Sequence, residues 1–247
     1  MDNRILLFAA ACAFCATSAP GQSTFVSFGI EAKCNIYAAG QSVPFDGGQP
    51  LDVRLPGGSV RAVAFTNLKG VISSGKRSGG PGGAAGSPKT LSAGTMIESF
   101  NGLSSLVFPN RFNFLAGVFL GPEGSPEQAP SGLTFSETDS FEELRPQIGQ
   151  VFFIGDGTVG VNNKTLRRFL IPPGASRLFL GVTASCRTDT LGPPGCYSDN
   201  TGDLFGRIAF LTERDGHWES AGIEMTNPSI ALPDSNVWAN SFVPSRQ

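Results

Sequence analysis

The chain has 247 residues, with 18 basic and 20 acidic side chains and a formal charge of -2, and it has no basic patch, which argues against nucleic acid as a partner. Its 32 glycines and 18 prolines, and 20 phenylalanines against 2 tyrosines, describe a chain of many turns and few helices.

The chain opens "MDNRILLFAAACAFCATSAPGQ". Arg4 supplies a short positive region, 5–16 is apolar, and small residues follow, so 1–21 reads as a secretory signal peptide cleaved near Ser18 to Gly21. The apolar part is far shorter than the roughly 20 residues a bilayer requires. A variant reading takes "FAAAC" as a lipoprotein site with lipid on Cys12. No other apolar stretch is long enough to span, so the mature chain is expected without a transmembrane segment, either secreted or placed in the periplasm or at the cell surface. About 225 residues remain, enough for one domain with a sizeable core. That domain is expected over 22–212.

"FVSFGIEAK" (25–33) alternates, with Val26, Phe28, Ile30 and Ala32 on one face, as a strand requires. "LDVRLPGGSVRAVAF" (51–65) holds two such runs around Pro56-Gly57-Gly58, a hairpin-like signal. Residues 70–95 include "SSGKRSGGPGGAAGSPK" and read as a flexible Gly-rich insertion. Strand character returns over 103–121 in "LSSLVF" and "RFNFLAGVFLG", and 122–131 is a Pro/Glu loop. "FSETDSFEELRPQ" reads as holding one short helical turn. "GQVFFIGDG", "LRRFLIPPGASRLFLGVTA" and "LFGRIAFL" predict at least four more strands, with "IPPGAS" as a turn between two of them. Residues 213–247 are polar, hold both tryptophans and the one histidine, and read as an extension. Many short strands between Gly/Pro turns, with no long helical period and no repeat, predict an all-β sandwich or jelly roll.

Five cysteines fall to three after signal removal, namely Cys34, Cys186 and Cys196. Export permits disulfides. A Cys186–Cys196 pair would close a short ring and leave Cys34 over, but the sequence alone leaves the pairing open. The ring would bracket "GCYSDNTGDL" (195–204), which crowds Asp199, Asn200 and Asp203 beside glycines, with Asp189 close in sequence. Calcium takes six to eight oxygens from carboxylates, amides and carbonyls, and a turn can bend adjacent Asp and Asn side chains around one ion. The same residue types are also ordinary turn formers.

"RLFLGVTAS", a loop and "YSDNTGDLFGRIAF" together resemble the end of the PA-IL-like bacterial lectin domain, a calcium-dependent galactose-binding β-sandwich. "CNIYAAGQSVPFDGG" (34–48) is similar to that domain's strand and first loop, and "GQVFFIGDG" to the segment before its closing strands. The similarity covers roughly 25–65 and 147–212. It implies a galactose-binding-like fold, Ca2+ as cofactor and carbohydrate or a surface glycan as partner. Asp199 and Asn200 fall on the family's pair of side-chain ligands, Cys196 on a carbonyl ligand, and the first-loop carbonyl would come from around Pro44. The family's calcium aspartate falls on Thr183 or Ala184, with Asp189 or Asp46 as the available replacements. The family's sugar-contacting histidine and glutamine have no counterpart, so no galactose specificity is carried over.

"ETDSFE" sets Glu137, Asp139 and Glu142 at a spacing similar to that of a jelly-roll glycoside hydrolase family, where such carboxylates line a sugar cleft. Here they sit among polar residues next to a Pro-rich loop, as a solvated acidic stretch would. His217 stands alone, and the S-x-x-K of Ser73 and Lys76 lacks its companion motifs. The expected role is an exported, non-catalytic, lectin-like binding module. The alternatives are a surface or matrix structural protein without ligand, and a hydrolase using Glu137 and Glu142.

Overall fold

The computed structural model describes residues 25–42, 44–74, 83–88, 94–109, 111–135, 140–159, 165–187 and 189–221. The expected signal peptide, Glu137, Asp139, Lys76 and Trp238 lie outside these residues, as does most of the Gly-rich insertion. The strands are, in chain order, β1 (Phe25–Glu31), β2 (Leu51–Arg54), β3 (Val60–Ser74), β4 (Ser87–Pro88), β5 (Thr95–Ile97), β6 (Leu106–Phe108), β7 (Arg111–Phe112), β8 (Leu115–Leu120), β9 (Leu133–Thr134), β10 (Glu143–Leu144), β11 (Val151–Phe153), β12 (Arg168–Leu170), β13 (Arg177–Val182), β14 (Asn200–Arg214) and β15 (His217–Ser220). The one helical piece among the described residues is a 3-10 turn, Ile36–Ala38. No described helix is long and apolar enough to cross a membrane.

The fold is the expected all-β sandwich. One sheet has the order β1-β14-β3-β12-β10, with β15 also paired to β14, and the other has the order β11-β8-β13-β2. Two smaller sheets, β4-β7 and β5-β6-β9, complete it. The backbone of the large sheet is the pairing of β3 with β14, each 15 residues long. An extra residue enters β3 where Phe205 pairs Lys69 but Arg207 pairs Thr66, and Asn67 there has φ 54°.

The large sheet keeps its alternation. Phe28, Ile30, Val63, Phe65, Ile208 and Phe210 turn inward to the main core. On the opposite face Ala62, Ala64, Ala209 and Leu211 form a second small cluster, covered by Leu166, Leu170 and Trp218.

The four-stranded sheet behaves differently, because all six residues of β8 are buried. Phe152 stacks on Phe169 of the large sheet at 5.0 Å between centroids. Its neighbour Phe153 points the other way, onto Phe108 (4.9 Å), Phe114 (5.0 Å) and Phe135 (5.8 Å). Both faces of this sheet are therefore covered, and a strand covered on both faces reads as a continuous apolar run. Gly117 lets the Phe152 ring lie across β8, since a Cβ there would sit 2.7 Å from its Cζ.

Several local expectations change. Residues 51–65 are not a hairpin: β2 pairs with β13 in one sheet and β3 with β14 and β12 in the other. The Pro-Gly-Gly segment reverses the chain and moves it between layers. "IPPGAS" likewise links β12 of one sheet to β13 of the other. Residues 70–74 are strand rather than loop, held against Asn200 to Leu204. The described part of "FSETDSFEELRPQ" contains β10, which pairs in parallel with β12, where a helical turn was expected. Pairing also continues past 212, through Arg214 and the β15 hairpin.

Candidate functional site

The loop after β13 is stapled as the cysteine spacing allowed. Cys186 and Cys196 form a disulfide across 10 residues, and Cys34 is a half-buried free thiol. Burial pushes the Cys34 thiol up, partly offset by a hydrogen bond at the Glu31 backbone. At the mouth of the ring, Ser185 pairs with Pro194, and the Gly195 amide donates to the Ala184 carbonyl at 3.1 Å. The ring's flank joins a second segment: the Glu98 amide donates to the Gly192 carbonyl at 2.9 Å, and the Gly192 amide to the Met96 carbonyl at 3.2 Å.

One residue past the disulfide, Tyr197 turns into the interior, fully buried. Its hydroxyl accepts from the Ala184 amide at 3.2 Å, and its own amide donates to Asp46 Oδ2 at 3.1 Å. Burial holds its phenol well above the ordinary value, and the Asp46 charge adds to that; the Ala184 amide works in the opposite direction.

Asp46 belongs to the first loop, which Asn35 organises from below. Buried Asn35 accepts the Tyr37 amide at Oδ1 (2.9 Å), capping the 3-10 turn, and donates from Nδ2 to the Asp46 carbonyl (2.8 Å). The Gly48 amide donates to the Lys33 carbonyl at 2.7 Å. Between them Gly47 has φ 77°, and a Cβ there would lie 2.5 Å from the Lys33 carbonyl oxygen and 2.7 Å from Tyr197 Cβ. Only glycine fits that crossing. On the other side of the loop Phe45 rests on Phe100 with centroids 4.5 Å apart, and it remains 45% exposed. Three stretches distant in sequence, 44–49, 96–103 and 189–199, thus meet at one end of the sandwich.

The residues expected to hold calcium differ in exposure and partners. Asp199 and Asp189 are exposed, and Asp203 is half-buried on β14 opposite Glu31 of β1. Asn200 is 1% exposed and turned inward, its Nδ2 donating to the Ala32 carbonyl at 3.1 Å and its Oδ1 facing Asn113 Nδ2 at 3.4 Å. Cys196 stands in the left-handed region at φ 62°; its sulfur is in the disulfide, which leaves its backbone carbonyl, the expected ligand, untouched. Thr183, one of the two positions where the resemblance puts an aspartate, is fully buried, and its hydroxyl has no hydrogen-bond partner among the described residues. Among the described residues no three His, Cys, Asp or Glu side chains form a metal-holding group.

The remaining candidates have ordinary roles. Glu142 is exposed and uses its carbonyl to accept the Arg168 amide. Asp156 closes a turn onto the Thr158 amide at 3.0 Å. His217 is exposed, and Trp218 packs on the outer alanine cluster with the Arg168 guanidinium 5.7 Å over its ring. Sequence reasoning passed over Phe45 and Tyr197. The available signal was slight: one of only two tyrosines follows a cysteine, and an aromatic precedes the first-loop aspartate.

No protein-family model matches this chain, and neither a curated protein nor a solved structure matches it.

Proposed function

We propose that the protein is an exported, non-catalytic binding module that takes carbohydrate at this loop end. The observation that supports the reading most is the bracing of the end itself. A disulfide closes one loop, the Tyr197 amide and Asn35 tie the first loop at half-buried Asp46, and main-chain bonds of Glu98 and Met96 with Gly192 add a third segment. Loops fixed before the ligand arrives lose little freedom on binding, which is how rigid scaffolds present recognition loops. The carboxylate in place is Asp46, and the reading needs no ion to position it.

The test is a glycan screen of the chain from about residue 22 onward, run with calcium and again with excess chelator. Binding that survives chelator supports a site built on Asp46. Binding lost with chelator makes calcium a cofactor and calls for oxygens drawn from a rearranged 196–200 turn. Absence of glycan binding in both arms sinks the reading in favour of a structural protein. Release of reducing ends from any glycan sinks it in favour of a hydrolase.

A further inference from the structure

We infer that Phe45 and Asp46 are the contact pair of this site, and that their ligand is a neutral pyranose offering a C–H face beside free hydroxyls. The inference rests on the carbohydrate reading above. Phe45 is among the large exposed hydrophobics of the described residues, and its ring is backed by that of Phe100 at 4.5 Å. It is held in place and still open to solvent.

Asp46 is fixed from two directions. Its carbonyl accepts from Asn35 Nδ2, and its Oδ2 accepts from the Tyr197 amide. Its Oδ1 accepts no hydrogen bond from the described residues. Consecutive residues, one anchored toward 100 and the other toward 197, thus place an exposed ring beside a half-buried carboxylate on the same loop.

The chemistry of that pair is selective. A phenyl ring gains from an apolar C–H face and makes no demand on the polar rim. An ionised carboxylate oxygen accepts hydroxyl protons in charge-assisted bonds that are stronger than neutral ones. A pyranose carries both features on one rigid ring. The carboxylates of Asp46 and of exposed Glu98, Asp189 and Asp199 outnumber the cations of exposed Lys33 and Arg187 on these and the adjoining segments, which disfavours uronic or sialic acids. The ligand class inferred is therefore neutral.

The experiment uses the chain from about residue 22 with Phe45→Ala, Phe45→Trp, Asp46→Asn and Asp199→Ala, titrated by calorimetry with the best glycan of the screen. Phe45→Ala and Asp46→Asn are each expected to weaken binding about tenfold or more. Phe45→Trp should retain binding, and Asp199→Ala should leave it unchanged. Circular dichroism and the melting temperature of each variant separate lost contact from lost fold, and Phe45→Ala removes only an exposed ring should Asp46→Asn fold poorly. If the wild type binds a neutral glycan that Asp199→Ala abolishes while Phe45→Ala does not weaken it, this assignment is wrong and the carbohydrate reading stands. A preference for a uronate also overturns it. If no glycan binds the wild type, both fall together.

Discussion

The Tyr197 amide donates to the Asp46 carboxylate at 3.1 Å across 151 residues of chain, while the Tyr197 hydroxyl accepts from Ala184 thirteen residues back. One buried residue, by its amide and its hydroxyl, therefore joins the first loop, the end of β13 and the start of the final hairpin. The disulfide ends one residue before it, with Cys186 exposed.

Opening the disulfide should loosen this joint without unfolding the sandwich. The two tyrosines of the chain give the readout. Both are fully buried, and burial raises both phenols above their ordinary value of 10.0. The folded state keeps these protons where the unfolded chain loses them. Their contribution to stability is thus complete below the ordinary value and falls as pH rises above it. Ultraviolet difference absorbance of the oxidised protein should show no tyrosinate near that value. After reduction, or in the Cys186→Ser/Cys196→Ser double variant, one phenol should titrate: that of Tyr197. Tyr37 stays covered, its hydroxyl donating to the Ser104 carbonyl at 3.1 Å. An unchanged titration after reduction would show that the disulfide does not hold Tyr197.

Gly47→Ala should cost about 2 kcal/mol or more, because it adds a left-handed backbone penalty to a clash with main chain. The blocking atom is the Lys33 carbonyl oxygen at 2.5 Å, which cannot rotate away as a flexible side chain would. Gly58→Ala is the control. It shares the positive φ, at 80°, and a Cβ there meets nothing within 4 Å, so it should cost less. Urea unfolding of the pair separates strain from collision, and equal losses would remove the packing argument.

Asp199 and Asn200 should part company. Asn200→Ala removes a buried amide bonded to Ala32 and facing Asn113, and should cost about 1–3 kcal/mol with or without calcium. Asp199→Ala alters an exposed turn residue and should stay within about 0.5 kcal/mol. Melting curves of the single variants in chelator test this. A calcium-dependent loss in both would show that the two side chains act together on an ion.

Thr183→Val should be neutral or stabilising by about 1 kcal/mol, because it replaces a buried, unpaired hydroxyl by a methyl of the same shape. Chemical denaturation reads this directly. A loss above about 1 kcal/mol would show that the hydroxyl holds a partner such as a buried water.

The sequence was legible where one face of a strand meets water. The alternation of 25–33 placed Phe28 and Ile30 inward, as found. Over β8 there is no alternation to read, because Phe152 and Phe153 next door face two different layers. The layering of the middle sheet was hidden for that reason. Turn chemistry told that Pro56-Gly57-Gly58 reverses the chain, but not that the next strand joins another sheet. At the site, the spacing of Cys186 and Cys196 permitted the bond that forms. Residue type could not say that Asn200 turns inward while its neighbour Asp199 stays in water. The meeting of Asp46 with Tyr197 depends on how the layers stack, and no local pattern carries that information.

The middle sheet also sets a timetable. Its strands β2, β8 and β13 come from the first quarter, the middle and the last third of the chain, so none of its pairings is local. Chain closure over such separations precedes any reward from burial, which places folding in the slow, millisecond-to-second range of β proteins. Once formed, the amides of β8 and β13 are shielded by protein on both sides, so they should exchange with solvent only when the whole sandwich opens.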